Sequence, residues 1–425
     1  TQMNPNEIIA IVIFIAVMVA IISEKIHRAT AAVAGAVLLL VTQVLTVDTA
    51  MAHVDVSTIG VLVGMMLFVA VVKNSGLFEY IAIKSAKLTH GRPWAIMMVF
   101  AIITGLLSAF LDNVTTVLLV GPMTLAITSI LKVNPVPFLL TQILASNMGG
   151  TATLIGDPPN IMIGSEAGLS FVDFITGTAP AVIVIMAASI VCFYFMFGRK
   201  LHVEEKAMQE VMKLDENRAI KDKPLLIKSV VMIVLVVIGF IFHASLGLES
   251  CTVALLAAAI MMLIGKQDTE DVILGVEWST IVFFIGLFVV VGGMEETGVI
   301  DQLAQLLMNL TNGNMVITML IILWVSALVS SIIDNIPFVA TLIPMILAIQ
   351  AESGMDVTPL WWALSLGACL GGNGTLIGAS ANVVLSGISN KNGYPITFMS
   401  YLKVGFPMML LSIVISMIYL LLRFA

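Results

Sequence analysis

Charge is what this sequence has least of. Only 11% of its 425 residues are Asp, Glu, Lys or Arg, where a soluble globular chain carries about a quarter. Cysteine is scarce as well. Cys192, Cys251 and Cys369 are scattered through apolar segments and form no CxxC, which excludes a disulfide framework and leaves them as ordinary lipid- or core-facing residues. The five histidines (His27, His53, His90, His202 and His243) stand near segment ends, without the spacing of a metal site. Short alternating segments of the transmembrane β-barrel kind are absent too. No nucleic-acid partner and no resident cofactor are expected.

What is present is apolar sequence of membrane-spanning length, repeated from end to end. The chain is 60% hydrophobic, so it reads as an all-α polytopic membrane protein with the lipid bilayer as its solvent. The first run (Ile8–Ile22) reads as a retained helix and not a cleaved signal. Residues 1–198 and 229–425 form two membrane regions. Between them lies a charged segment, 199–228, with eight Lys and Arg. Leu77–Lys87 and Val299–Leu310 are amphipathic and are expected along the interface.

The basic residues set an orientation. Lys25, Arg28, Lys73, Lys84, Lys87, Arg92, Lys132, the 199–228 segment, Lys266, Lys391 and Lys403 fall on one side, and Arg423 alone breaks the pattern. By the positive-inside rule that side is cytoplasmic, both termini are non-cytoplasmic and the membrane is the cell (inner) membrane. Each half then crosses five times and adds one hairpin.

An internal repeat is the most specific signal. An offset of 222 residues carries Asp112-Asn113 onto Asp334-Asn335, Pro122-Met123 onto Pro344-Met345, and Gly149-Gly150 onto Gly371-Gly372. It also carries Thr153-Leu154-Ile155-Gly156 onto Thr375-Leu376-Ile377-Gly378, and Asn160 onto Asn382. Five crossings is an odd number, so the second half is inverted relative to the first. Inverted repeats with interrupted helices characterise secondary transporters. Packing of duplicated halves explains the glycines; it does not explain an Asp-Asn pair recurring in apolar sequence.

Asp112, Asp157 and Asp334 are the acidic residues deep in apolar sequence, and no Lys or Arg lies deep. A carboxylate there costs roughly 2.5–3.5 kcal/mol on insertion scales and marks a functional site by default. Asp112 and Asp334 are each the tip of a hairpin, Pro93–Leu111 with Val114–Leu131 and Met315–Ile333 with Ile336–Gln350. Each aspartate serves as an N-cap of the second arm, as a cation or proton site, or as both. Thr115, Thr116, Ser108 and Ser330 supply hydroxyls nearby. Glycines and Pro158-Pro159 break a further helix over Gly149–Asn160, with its mate over Gly371–Asn382. The restarted half-helices offer N–H donors to an anion, and the preceding ends offer carbonyls to a cation. Candidate Na+ ligands are Asp112, Asn113, Gly156, Asp334, Asn335 and Gly378, with Thr115 beside the first tip. Candidate substrate-binding residues are Gly150, Thr151, Thr153, Gly156, Asp157, Asn160, Gly372, Asn373, Thr375, Gly378 and Asn382. Asp157 has Ala379 as its mate, so the two breaks are not equivalent.

On these residues the chain resembles the ion transporter superfamily, in the arsenite permease/Na+/H+ antiporter D branch. Ser-Ala-Phe-Leu-Asp-Asn-Val-Thr-Thr and Gly-Gly-Thr-Ala-Thr-Leu-Ile-Gly-Asp-Pro-Pro-Asn are most similar to the melanosomal P protein subgroup. The resemblance covers nearly the whole chain. It implies a homodimer with a scaffold of early helices, and a transport domain of hairpins and broken helices moving as an elevator. It implies that the two tips and two breaks build the cation and substrate sites. Relatives move arsenite, silicic acid, citrate or dicarboxylates, or exchange Na+ for H+. The dicarboxylate branch carries Ser-Asn-Thr at its tips; Asp stands in place of that Ser here, which disfavours a carboxylate substrate.

The expected function is a secondary active transporter of a small anion or oxyanion, arsenite-like or carboxylate, coupled to Na+ or H+. A Na+/H+ antiporter without organic substrate is the alternative. An intramembrane aspartyl enzyme is a remote reading, because its Gly-x-Gly-Asp and Tyr-Asp contexts are missing. A passive channel fits poorly with the inverted design.

Overall fold

The protein is described from a computed structural model covering residues 2–425. Among these residues it is all helix with no strand. The first half runs α1 (Pro5–Ser23), α2 (Arg28–Val41), short α3 (Val47–Ala52), α4 (Val56–Val72) and amphipathic α5 (Leu77–Leu88). A hairpin follows, α6 (Pro93–Phe110) and α7 (Asn113–Leu131), then a broken helix, α8 (Val136–Thr151) and α9 (Pro158–Ala167). Next come α10 (Phe171–Gly177), α11 (Ala179–Met196) and, in the charged segment, α12 (Glu205–Met212).

The second half repeats the order. It has α13 (Lys223–Phe242), α14 (Ser250–Gly265), α15 (Thr269–Leu274), α16 (Trp278–Glu296) and α17 (Val299–Leu310). Its hairpin is α18 (Met315–Ile332) and α19 (Asn335–Ser353), its broken helix α20 (Thr358–Gly371) and α21 (Ser380–Lys391), and α22 (Phe398–Phe424) is last. Each start of α2 to α9 falls, 222 residues on, at the start of α14 to α21. Among the described residues, ten helices are long and apolar enough to cross a membrane; α2 and α14 are shorter.

The halves interlock in two packing groups. In one, α2 runs against α16 and α4 against α14, with α1 and α13 flanking. Gly64 and Gly286 allow these contacts: a Cβ on Gly64 would stand 2.7 Å from the Ala254 carbonyl carbon, and one on Gly286 2.7 Å from that of Ala32. Small residues at such crossings let backbones touch and raise dispersion contact where no hydrophobic force operates between helices. In the other group α6 packs on α8 and α18 on α20. Each restarted half-helix crosses to the other repeat's hairpin, α9 onto α19 and α21 onto α7.

Two departures from the sequence expectation have simple causes. The charged segment ends sooner, since α13 already begins at Lys223 with Asp222 as its N-cap. Arg423, the exception to the charge pattern, donates from Nη1 to the Thr176 carbonyl at 2.5 Å and to the Tyr419 hydroxyl at 2.5 Å. A cation at the C-terminal carbonyls of α10 is favourable whatever side it lies on.

The charged segment is fastened to the first half. Lys87 Nζ donates to Glu216 at 2.6 Å and Lys84 Nζ at 3.3 Å. Lys221 N–H donates to the Ser75 carbonyl at 3.0 Å. The hydrogen bond from Lys87 leads in holding the Glu216 carboxyl below its ordinary range, at about 2. A carboxylate with a depressed folded pKa contributes stability above its unfolded pKa and loses it as pH falls through the folded value. The clamp is therefore intact across neutral and mildly acidic pH. Glu216→Gln is expected to speed proteolytic nicking within 199–222 severalfold at pH 7, read by limited proteolysis of the detergent-purified chain. Unchanged nicking would show that the clamp does not hold the segment.

Candidate functional site

Both hairpin tips are capped turns. The backbone breaks at Leu111-Asp112 and at Ile333-Asp334, and each aspartate caps the arm that follows. Asp112 accepts from the Thr115 N–H at 2.7 Å and the Thr115 hydroxyl at 2.7 Å. Asp334 accepts from the Ile336 N–H at 3.1 Å. Capping is thus a real role of both residues, worth about 1 kcal/mol each.

The breaks are closed by side chains that hold the free backbone carbonyls. Thr153 donates to the Ala109 carbonyl, and Thr375 to that of Ser331, which ties each break to its own hairpin. Asn160 Nδ2 donates to the carbonyls of Thr151 at 3.1 Å and Thr153 at 2.9 Å. Asn382 Nδ2 does the same for Gly372 at 2.7 Å and Thr375 at 2.9 Å. Ser108 and Ser330 donate across to the Ser146 and Ala368 carbonyls, both at 2.6 Å. Backbone without helical partners is tolerated at membrane depth only when it is satisfied in this way. Gly150 and Gly156 meet at the neck of the first break, where a Cβ on either would lie 2.6–2.7 Å from the other's carbonyl oxygen. Gly378 crowds Gly372 similarly.

A buried asparagine network joins the two repeats. Asn147 Nδ2 donates to Asn373 Oδ1 and Asn382 Oδ1, both at 2.8 Å, and its Oδ1 accepts from Asn113 Nδ2 at 3.1 Å. Ser365 donates to Asn160 Oδ1 at 2.5 Å. Asn147 was not among the sequence candidates. Its mate is Cys369, so the repeat gave no signal, although a lone amide in Leu-Ala-Ser-Asn-Met is itself uncommon in apolar sequence.

All four interruptions line one cavity of about 450 Å³. Asp112 and Asn113 come from the first tip, Asp334 and Asn335 from the second, Asp157 and Pro158 from the first break, and Ala379 and Ser380 from the second. Asp157 is 2% exposed and starts α9 without a capping bond; its Oδ2 has no hydrogen-bond partner. Of the sequence candidates, Thr115, Gly150, Thr151, Thr153, Gly156, Asn160, Gly372, Asn373, Thr375, Gly378 and Asn382 stand behind this lining. In this conformation the side chains of Thr153, Asn160, Thr375 and Asn382 are engaged in holding the breaks together.

One correction concerns charge. Arg28 is the first residue of α2, and its guanidinium enters this cavity. Nη1 donates to Asp334 Oδ2 at 2.5 Å and Nη2 to the Thr280 hydroxyl at 3.3 Å, with the guanidinium 4.6 Å from the Phe283 ring centroid. Sequence distance hid this pair, since 306 residues separate its members. Glu277 also lines the cavity. The lining therefore holds four carboxyl groups and one guanidinium.

The tips sit differently against the first packing group. Asp112 lies beside Leu62 and Met66, midway along α4. The repeat equivalents would be Phe284 and Phe288 of α16. Asp334 instead meets Arg28 and Thr280, at the ends of α2 and α16. A separate cavity of about 260 Å³ lies at the opposite end of α16, between Glu295, Glu166 of α9 and Leu347 of α19. His53 lines it in the loop before α4, with Nδ1 3.3 Å from Glu295 and Nε2 2.9 Å from Glu296. Those carboxylates, Glu295 first, raise the His53 pKa above its ordinary 6.5.

Two outcomes are expected. Asn147→Leu leaves three amide side chains short of a partner and lowers stability by roughly 2–3 kcal/mol, read as a fall in thermal midpoint in detergent. A His with a raised folded pKa stabilises below its unfolded pKa and loses that contribution as pH rises through the folded value. The wild type is therefore more stable than His53→Gln at pH 6, and the gap closes as the pH is raised and the imidazole loses its proton. A gap that widens with pH would contradict the His53–Glu295–Glu296 arrangement.

An uncharacterized transporter of Mycobacterium tuberculosis is 43% identical over 424 residues, 98% of each chain. The 46 kDa membrane protein of Mycobacterium leprae is 41% identical over 98% of this chain and 99% of its own. The human P protein is 34% identical over 97% of this chain, which spans 59% of the P protein's length; the resemblance to that protein is thereby borne out. A crystal structure of the Alcanivorax borkumensis YdaH transporter has the same fold, with a TM-score of 0.57 and 15% identity over 88% of this chain and 86% of that one. The Mycobacterium tuberculosis relative and YdaH are both named as transporters. Residues 18–367 match the family described as "CitMHS: Citrate transporter", and the chain belongs to that family.

Proposed function

We propose that this transporter moves a small anion or oxyanion together with a monovalent cation, by alternating access. The observation that carries the proposal is the convergence of both tips and both breaks on one cavity. Each interruption costs helical hydrogen bonds, and the fold spends all four at the same place. The half-helix starts at Pro158 and Ser380 turn positive dipole ends toward it, and α21 alone adds first-turn N–H donors, at Ser380 and Ala381, because Pro158 and Pro159 have none. Asp112, with Asn113 and the Thr115 hydroxyl, supplies oxygens for Na+, or a carboxylate for H+.

The family description names citrate, and the solute proposed here is an anion of that size or smaller. Four carboxyl groups against one guanidinium repel a bare polyanion, so an anionic solute enters with its charge offset by bound cation or proton. Undissociated arsenous acid, the cargo expected from the arsenite permease branch, meets no such barrier. The same acidic excess favours one second reading, a Na+/H+ antiporter without organic cargo.

The hairpins and broken helices form the moving body, and α1, α2, α4, α13, α14 and α16 the scaffold. Support for an elevator-type displacement comes from the unequal stations of the two tips: one sits midway along α4, the other at the ends of α2 and α16. By the charge pattern the linker 199–228 is cytoplasmic and both termini are non-cytoplasmic. Scaffold faces rich in exposed apolar side chains on α1 and α13 suit a lipid boundary or a homodimer.

Asp112→Asn is expected to reduce coupled uptake in proteoliposomes to background while leaving the chain monodisperse. Counterflow with citrate, arsenite and phosphate-like solutes, each with and without Na+ and a pH gradient, identifies the pair. Full coupled activity in Asp112→Asn would remove the cation assignment. Cation exchange without any solute would select the antiporter reading.

A further inference from the structure

The two tips are equivalent in sequence and opposite in electrostatics. At the first, Asp112 faces the Thr115 hydroxyl, and no basic side chain reaches it. At the second, the position of Thr115 is taken by Pro337, which has no hydroxyl, and the carboxylate faces the Arg28 guanidinium instead. Arg28 has its own repeat mate in Ser250, which could not play that part at the first tip. One tip has kept an oxygen and lacks a cation; the other has lost the oxygen and gained one. These two differences compensate one another.

We infer that Arg28 is a tethered cation occupying, at the second tip, the position that a soluble monovalent cation takes at the first. Only the Asp112 tip is then open to Na+ while the chain is in this conformation. The inference rests on the cation-coupled reading above and sharpens it: of two repeat-related positions, one is filled by the protein itself.

The geometry supports occupancy and not chance proximity. The guanidinium is fixed from three directions, by the Asp334 carboxylate, the Thr280 hydroxyl and the Phe283 ring. Charge-assisted bonds to a planar fork hold direction as well as charge. The pair also stands in the wall between two cavities, since Arg28, Asp334, Ala379, Ser380 and Val384 line both the 450 Å³ cavity and a neighbouring one of about 440 Å³. An ion arriving at Asp334 from either side meets the charge of the guanidinium on Oδ2. Around the pair, Glu24 and His27 line the neighbouring cavity, and Glu277, Asp112 and Asp157 the shared one; no other Lys or Arg lines either.

The mechanism that follows is competition. A compact Na+ and a guanidinium brought to one carboxylate repel one another, so the binding of either weakens the other. Because Arg28 belongs to α2 and Asp334 to the hairpin, displacement of the hairpin relative to α2 parts them and exposes Asp334. The number of soluble cations bound then depends on conformation, one with the pair closed and two with it open.

The test is equilibrium binding of radioactive Na+ to the full-length chain in detergent, with choline as the balancing cation. Arg28→Gln is expected to gain one bound Na+ per chain, and Arg28→Gln/Asp334→Asn to lose that gain. Arg28→Lys keeps a tethered charge with shorter reach, so it gains less and with the same sign; it is the variant to read if the glutamine does not fold. No gain in either single variant overturns the inference, as does a gain that survives Asp334→Asn. Failure of the underlying reading looks different: the wild type would then bind no Na+ and Asp112→Asn would change nothing, while the Arg28 series would still decide the question at Asp334.

Discussion

The constraint on which the rest of this molecule depends is the satisfaction of broken backbone inside apolar surroundings. A helix that stops in apolar surroundings leaves carbonyls and N–H groups with no water to turn to, at a cost of about 1–3 kcal/mol for each group left unpaired. Four such stops occur here, and each is closed by a short list of small polar side chains. Asp112 and Asp334 cap the tips, Thr153 and Thr375 bind the breaks to the hairpins, and Asn160 and Asn382 gather the break carbonyls. The repeats share these devices almost atom for atom. The site is what remains once they are in place: a polar cavity bounded by groups that the fold was obliged to provide.

The interlock between repeats follows from the same requirement. α9 leans on α19 and α21 on α7, so each broken helix is buried by the opposite half. Asn147 then links Asn113 to Asn373 and Asn382 across the junction. A network of amides in low dielectric is costly if partly satisfied and specific if complete. It holds the first tip and both broken helices in one register.

Symmetry of sequence has not produced symmetry of environment. The first break carries Asp157 where the second has Ala379, and Asp157 keeps one buried oxygen without a partner. The second tip carries an ion pair where the first has a hydroxyl. The tips rest at different stations along the scaffold helices. A transporter with identical halves would have no reason to favour one face; the departures from identity are where direction and selectivity can enter.

How much of this was legible beforehand can be judged residue by residue. The all-helical fold, the repeat offset, the two hairpin tips and the restart at Pro158 all follow from sequence, because hydropathy, Asp-Asn, glycine and proline act locally. The eight coincident helix starts confirm that register. Sequence also singled out Asp112, Asp157 and Asp334, because a carboxylate in apolar sequence stands out wherever it folds. It could not show that Thr153, Asn160, Thr375 and Asn382 turn inward to mend the breaks, since a polar side chain reads the same whether it faces a solute or a carbonyl. Nor could it show Arg28 at Asp334. Arg28 belongs by sequence to a basic loop with Lys25, and only the packing of α2 against α16 sets its guanidinium beside a tip 306 residues away. Local chemistry fixed where the chain must break; the tertiary structure decided which breaks meet and which charge answers which, because only contact brings distant groups within the few ångströms over which such interactions act.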